Sequence, residues 1–419
     1  MTPAPILVYC QHLLGLGHLQ RAARLARALA EAGEPVSFVI GGRAVPALDV
    51  GAAEVVALPP LQSADAAAST VAGPDGRPPD PPYLAARRDQ LLALVAARDP
   101  AVVLLELFPF GRHALAFELA PLLFALGDDR ARRGPAAPRV AVSVRDVLVS
   151  KANAPWSELA VLAVALQWVD RVLVHGAPDV IPLERTFAPA ARLGDRLVYT
   201  GYLAPPPPAV PTTPHGEVVV SGGGGQVAAA LFRAALAARP LTGAAASRPW
   251  RLLLGPYCPE AVRGELERAA PGFGTVAGRP AVTVEPFRAD LASHLRGAAL
   301  SVSQAGYNTV LDILASGVRA VVVPYEASGD EQLLRARLLA ERDLLRLLPE
   351  ARQTPATLAA AMDAALTDPG FPAPVRLALD GARRAVEVLG ELATAVRVAR
   401  SRPPATPQPA LSAHRGERP

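Results

Sequence analysis

Lysine is almost missing from this chain: Lys151 is the single lysine in 419 residues. There are two cysteines, Cys10 and Cys258, and neither has a neighbouring CxxC or histidine cluster, which excludes a disulfide framework and a thiolate zinc site. Such thiol usage fits a reducing cytoplasm. Aromatic residues amount to 5%, no apolar run reaches about 18 residues, and the first charged side chain after the initiator is Arg21. Neither a membrane-spanning helix nor a secretory leader is expected, although contact with the inner face of the cell membrane stays open. Blocks of like charge are missing too. The net charge is +4 with the arginines dispersed, so the electrostatic footprint of a nucleic-acid binder is not there.

What is present is alternation. Hydrophobic residues make up 51%, and 419 residues exceed one ordinary core, so two domains are expected. Short β-rich runs alternate with Ala/Leu/Arg segments of helical period, the pattern of βαβ units and parallel sheets. The pattern predicts strands near residues 6–9, 36–40, 54–58, 101–105, 139–144, 171–174 and 197–199. After Ala204-Pro-Pro-Pro-Pro-Ala-Val-Pro-Thr-Thr-Pro214, with six prolines in eleven residues, it restarts near 217–220, 251–254, 281–284, 299–302 and 319–323. The expected architecture is α/β: two doubly wound Rossmann-like domains, 1–204 and 215–373, joined by a Pro-rich linker 205–214. A helical period covers 374–400, residues 401–419 read as a disordered tail, and 59–82 reads as a long mobile loop.

In open parallel sheets ligands collect beyond the carboxyl ends of the strands. Three motifs fall at such ends. The first is Cys10-Gln-His-Leu-Leu-Gly15-Leu-Gly17-His18, whose glycines permit a tight turn and whose helix start favours an anion. It admits a mere turn, a dinucleotide loop or a catalytic loop, but lacks the full GxGxxG spacing. The second is Ser221-Gly222-Gly223-Gly224-Gly225-Gln226, either a hinge or an amide nest for phosphate. The third runs from Ser303-Gln-Ala305-Gly306-Tyr307-Asn308-Thr309 through Asp312, Gly317, Pro324 and Gln332. A helix starting near Gly306 turns its amino terminus to an anion and places Asp312 nearly two turns along, where a carboxylate accepts from the vicinal hydroxyls of a ribose.

With these residues the chain resembles the GT-B fold glycosyltransferases, in the branch of the lipid-linked N-acetylglucosaminyltransferase of peptidoglycan synthesis (glycosyltransferase family 28 C-terminal domain). That family carries S-G-x-x-T-x-x-E-I-x-x-x-G-x-P-x-x-x-x-P…Q-x-x-N-A, and Gly306, Thr309, Asp312, Ile313, Gly317, Pro324, Gln332 and Ala336 keep its spacing. Ala305, Asp312, Arg319 and Arg335 depart from its Ser, Glu, Pro and Asn, and Gly224 and Gly225 stand where it has Ser and Gln. The opening loop, together with Glu106-Leu-Phe-Pro-Phe-Gly-Arg112 and Val174-His175-Gly176, is similar to a group of predicted bacterial glycosyltransferases.

The resemblance implies two domains facing each other across a cleft, with Asp312 on the ribose, Gly306 and Thr309 at the diphosphate, and Gly17, Gly222 and Gly223 on the donor. It also implies Phe287, in Glu285-Pro-Phe-Arg288, at the base, Gln332 at the donor sugar, and a last helix crossing back to the first domain. No DxD motif occurs, so no metal and no cofactor beyond the nucleotide sugar, UDP-linked by resemblance, is expected. His18 is the first choice of general base, since its intrinsic pKa suits neutral pH. Glu106 is a second, as base or as orienter of an acceptor hydroxyl. Arg112, Arg145 and Asp146, at or beyond strand ends, are candidates on the acceptor side, with an arginine holding an anionic acceptor. His175 is left outside the catalytic set. The expected activity is hexosyl transfer to an acceptor hydroxyl; hydrolysis or epimerisation of a nucleotide sugar is the alternative. Base, sugar, acceptor and oligomeric state stay open.

Overall fold

A computed structural model describes residues 3–13, 17–42, 48–64, 70–149, 156–288, 290–327 and 329–402. Gly15, Lys151 and residues 403–419 of the expected tail lie outside them. The first half contributes strands β1 (Ile6–Cys10), β2 (Val36–Ile40), β3 (Glu54–Ala57), β4 (Gln62–Ser63), β5 (Val71–Ala72), β6 (Val102–Glu106), β7 (Arg139–Arg145), β8 (Arg171–His175) and β9 (Leu197–Tyr199). Its helices are α1 (Gly17–Glu31), α2 (Pro81–Arg98), α3 (Ala116–Arg133) and α4 (Glu158–Trp168). The second half contributes β10 (Val218–Ser221), β11 (Trp250–Leu253), β12 (Thr275–Val276), β13 (Arg279–Pro280), β14 (Val282–Glu285), β15 (Leu300–Ser303), β16 (Ala320–Val322) and β17 (Arg346–Leu347). Between and after them run α5 (Ala229–Ala238), α6 (Glu260–Ala269), α7 (Leu291–Arg296), α8 (Tyr307–Ser316), α9 (Glu331–Ala340), α10 (Pro355–Thr367) and α11 (Gly381–Ser401).

Both large sheets are parallel and doubly wound. The first has order β3-β2-β1-β6-β7-β8-β9 and the second β14-β11-β10-β15-β16-β17. Their central strands are buried on both faces, which is why β1 and β10 read as unbroken apolar runs rather than alternating ones. Local chemistry sets the helix ends. Asp80 caps α2 by accepting from the Tyr83 amide at 2.8 Å, Thr354 and Thr357 form a capping box on α10, and Gly317 closes α8 in the left-handed region. In α1, Leu19, Ala22, Ala23, Leu25, Ala26 and Leu29 recur at helical spacing and bury against Ile6, Val8 and Phe38.

Two expectations need correction. Segment 59–82 is not one long loop: β4 and β5 pair antiparallel, Leu61 is buried, and the Leu61 amide donates to the Gly41 carbonyl at 2.8 Å. A local scan for periodicity misses a segment anchored by one buried leucine and long-range backbone bonds. The last helix starts at Gly381 rather than at 374 because the chain first runs alongside residues 201–204. There the Tyr202 amide donates to the Ala378 carbonyl at 2.8 Å, and Leu203 bridges Asp380. A Cβ on Gly381 would lie 2.4 Å from the Gly201 carbonyl oxygen, so only glycine fits that crossing. Beyond it α11 packs on α1, β6 and β7, placing Ala385, Leu389, Ala393 and Val396 in the core of the first half. The two halves also share an apolar cluster, in which Val147, Ile181 and Tyr202 meet Tyr307, Leu311 and Leu345.

Candidate functional site

Each sheet reverses its winding once, between β1 and β6 in the first and between β10 and β15 in the second. Loops leaving neighbouring strands diverge at such a point and open a crevice. The motifs sit on those four strands: the opening loop after β1, Glu106 at the end of β6, the glycine run after β10 and Gly306 after β15.

On the first crevice, His18 Nδ1 lies 2.8 Å from Glu106 Oε1, and Ser143 at β7 donates its hydroxyl to Glu106 Oε2 at 2.9 Å. Arg21, one helical turn beyond His18, pairs with the same Oε1. A carboxylate held by a guanidinium accepts rather than donates, so Nδ1 carries the proton and Nε2 keeps its lone pair. Arg21 Nη2 approaches Nδ1 at 3.4 Å, a contact of two donors that is no hydrogen bond. Burial and then the guanidinium groups of Arg112, Arg145 and Arg21 hold the His18 pKa well below the ordinary histidine value. The ring is therefore neutral at physiological pH.

Glu106 differs from the expectation. It is 3% exposed with both oxygens engaged, so it braces His18 from behind instead of serving as a base or reaching an acceptor. Arg112 caps a short turn in the left-handed region, and its Nε is buried without a partner. Burial pushes its guanidinium down to about 10, and no carboxylate pairs with it among the described residues. Arg112 thus remains available to an anion.

On the second crevice, α8 begins beside open space: a Cβ built on Gly306 would meet no described atom within 4 Å. One built on Gly223 would sit 3.6 Å from Thr309 Oγ1, so the glycine run faces the start of α8. Gly222 is packed so tightly that a Cβ would reach 2.9 Å from the Leu254 carbonyl oxygen. Amides at such a helix start and loop form an anion site. Asp312 is 9% exposed, and burial raises its carboxyl to about 6 against the opposing pull of Arg24. Arg24, from α1 of the other half, stands 3.6 Å away and also donates to the Leu203 carbonyl at 3.1 Å. Phe287 lies beyond edge strand β14, 46% exposed. The Gln332 carbonyl accepts from the Ala305 and Tyr325 amides at 3.0 and 3.1 Å, so it braces two loops and leaves only its amide nitrogen for a ligand.

Between the crevices the halves are clamped. Asp146, fully buried, accepts from Arg335 Nε at 2.8 Å and Nη2 at 2.6 Å, while Arg145 donates to Glu331 at 2.7 Å. Arg335 also donates to Glu331 at 2.9 Å. Arg145 and Asp146, expected on the acceptor side, are thus engaged in holding the halves together. The Tyr307 ring has Arg21 and Arg335 over it at 5.4 and 5.5 Å, and its hydroxyl donates to the His175 carbonyl at 2.8 Å. Asn308 donates to the Gly17 carbonyl at 3.1 Å and to Gln20 at 3.0 Å, bringing the starts of α1 and α8 together. Beside the clamp lies a cavity of about 410 Å³ lined by Val147, Leu148, Leu333, Leu334, Arg185 and Arg337, among others.

Two family departures now have structural partners. Arg335, where the family has Asn, answers Asp146; Arg319, where it has Pro, donates to the Ala365 carbonyl at 2.7 Å at the end of α10. Sequence reading missed Arg21, Arg24, Ser143 and Tyr307. Only Arg21 left a local signal, its three-residue spacing from His18. Among the described residues one group has metal-ligand character, His215, Glu217 and His294, at the opposite end of the second sheet. Both Glu217 oxygens accept from Arg251, at 2.8 and 2.9 Å, which makes it an ion-paired cluster.

Residues 218–388 match the model of the glycosyltransferase family 28 C-terminal domain. The chain is 30% identical over 138 residues to the UDP-N-acetylglucosamine--N-acetylmuramyl-(pentapeptide) pyrophosphoryl-undecaprenol N-acetylglucosamine transferase of Syntrophotalea carbinolica, covering 33% of this chain and 37% of that protein. The matched stretch therefore spans well under half of that relative. Over nearly the whole chain the fold is similar to the calicheamicin glycosyltransferase CalG4, with TM-score 0.58, 17% identity and coverage of 96% and 100%. It is likewise similar to the glycosyltransferase VinC solved in complex with dTDP, with TM-score 0.59, 15% identity and coverage of 94% and 100%. The chain thus has the two-domain GT-B fold, and its residues 218–388 are similar to the glycosyltransferase family 28 C-terminal domain.

Proposed function

We propose that this protein transfers a sugar from a UDP-linked donor to an acceptor hydroxyl, with backbone amides rather than a metal ion holding the leaving diphosphate. The observation that carries the reading is the neutral His18, braced by Glu106, standing at the first crevice while the open start of α8 forms the second. The bond that forms joins the acceptor oxygen to the anomeric carbon; the bond that breaks joins that carbon to the diphosphate. His18 Nε2 takes the acceptor proton, and amides at Gly306 and around Gly222 and Gly223, with the Thr309 hydroxyl, receive the charge developing on the diphosphate.

Asp312 accepts from the ribose hydroxyls, Phe287 flanks the base, and the Gln332 amide nitrogen faces the donor sugar. Arg112, beside the first crevice, is a cation available to an anionic acceptor, and Arg185 and Arg337 line the interdomain cavity that such an acceptor could enter. A hydrolase would use the same His18 with water, but among the described residues no device favours water over a larger alcohol.

The test is a panel of UDP- and dTDP-sugars incubated with and without acceptor extracts, following nucleotide release and product mass. Acceptor-dependent release from a UDP-sugar is the expected result. Release at full rate without acceptor would replace transferase by hydrolase, and loss of preference for anionic acceptors in Arg112→Gln would place that arginine on the acceptor.

A further inference from the structure

Behind Glu106 lies a buried polar chain that the proposed reaction does not use. Ser143 Oγ is 2.9 Å from Glu106 Oε2 and 3.0 Å from His175 Nε2, and His175 Nδ1 is 2.8 Å from Thr200 Oγ1. His175, Ser143 and Thr200 are buried at the ends of β8, at β7 and after β9. Burial and then Arg21 depress the His175 pKa well below the ordinary value, so the ring is neutral and carries one N–H.

Proton counting then leaves three arrangements of three bonds each. In one, Thr200 donates to the Gly201 carbonyl at 2.8 Å, His175 Nδ1–H donates to Thr200, and Ser143 donates to His175, which strips Glu106 Oε2 of its donor. In a second, Thr200 donates to His175 Nδ1, His175 Nε2–H donates to Ser143, and Ser143 donates to Glu106; in a third, Thr200 donates to the Gly201 carbonyl, His175 Nδ1–H donates to Thr200 and Ser143 donates to Glu106, which leaves His175 Nε2 bare. The second leaves a backbone carbonyl with one bond fewer, the first leaves a buried carboxylate oxygen bare, and the third leaves a buried imidazole nitrogen bare. Bonds to ionised acceptors are roughly twice as strong as neutral ones, which removes the first, and an imidazole nitrogen is a stronger acceptor than a backbone carbonyl, which sets the second above the third.

We propose that Thr200, His175 and Ser143 form a one-directional hydrogen-bond relay that ends on Glu106 and fixes, through it, the Nδ1–H tautomer of His18. The three are positioning residues. The proposal rests on the reading of His18 as the base, and explains why a neutral, interior histidine sits between two hydroxyls behind that base. The charged groups facing His18 are Glu106 and the guanidiniums of Arg21, Arg112 and Arg145; those act in every variant below, so a change there belongs to the relay.

The experiment is a long-range ¹H–¹⁵N correlation spectrum of histidine-labelled full chain, which reads each tautomer without any substrate. His18→Gln and His175→Gln assign the two signals among the seven histidines. The wild type is expected to show His175 as the Nε2–H and His18 as the Nδ1–H form. Ser143→Ala is expected to erode the His18 tautomer and lower kcat about fivefold, the factor one net hydrogen bond carries, with the donor KM unchanged. Ser143→Ala should also turn His175 over to the Nδ1–H form, because Thr200 can then accept from Nδ1–H and donate to the Gly201 carbonyl, whereas Thr200→Val should leave the Nε2–H form in place. A wild-type His175 in the Nδ1–H form overturns the relay, and so does a His18 signal untouched by Ser143→Ala. If no nucleotide sugar is turned over at all, the transferase reading falls while the tautomers still decide the relay.

Discussion

The two crevices are built on the same strand order, yet one offers side chains and the other offers backbone. Beyond β1 and β6 stand His18, Glu106, Arg21 and Arg112, each with an individual partner or none; beyond β10 and β15 stand glycines and the amides opening α8. Amides at a helix start bind any phosphate, whatever the rest of the ligand, whereas a base must be aimed at one hydroxyl and held in one tautomer. Sharing a scaffold therefore does not mean sharing a task. The halves meet where the tasks must coincide: Asn308 reaches Gly17, Tyr307 reaches His175, and Arg335 grips Asp146.

The sharpest way to separate the two sides is His18→Ala. It is expected to lower kcat by about 10² to 10⁴-fold, the range for loss of a general base, while UDP binding measured by calorimetry stays as in the wild type. A parallel loss of UDP affinity would erase the division between chemistry on one side and binding on the other. Next in size is Arg335→Leu, which leaves Asp146 buried and unpaired and should cost about 3 to 5 kcal/mol in unfolding free energy. Restoring most of that loss by adding Asp146→Leu would show that the clamp serves the alignment of the two sides more than net stability.

Smallest is the change at the binding side. Asp312→Asn should weaken UDP-sugar affinity about tenfold, the scale of hydrogen bonds to a charged acceptor. Because burial raises the Asp312 carboxyl to about 6, wild-type affinity should also fall as pH drops through that value and the acceptor oxygens are lost to protonation. The variant should lack that pH dependence; retaining it would take the ribose away from Asp312. The His18 contribution moves the other way in position: its pKa is depressed, so protonation of the base limits turnover only at pH well below the ordinary histidine range.

The strands and the second glycine loop were legible because each is a local event: a doubly buried parallel strand reads as an apolar run, and a turn needing positive φ at Gly223 or Gly225 reads as glycine. His18 and Asp312 were legible as positions at strand ends and along a helix. Their settings were not. Glu106 looked like a rival base because nothing near it in sequence shows that Arg21 and Ser143 fill its oxygens from 85 and 37 residues away. Arg145 and Asp146 looked available because Glu331 and Arg335 answer them from 186 and 189 residues away. The family departure at Arg335 was visible, but its reason lies across the cleft.

The sequence by itself determined the alternation of strands and helices, the four loops at two winding reversals, and the residue types that fill them, since periodicity and backbone freedom act over a few residues. Only the tertiary structure decided which ionisable groups are spent on one another and which face the cleft. That assignment depends on burial and pairing between strands of both halves, and a charge becomes a brace, a clamp or a free hand according to the partner folding brings to it.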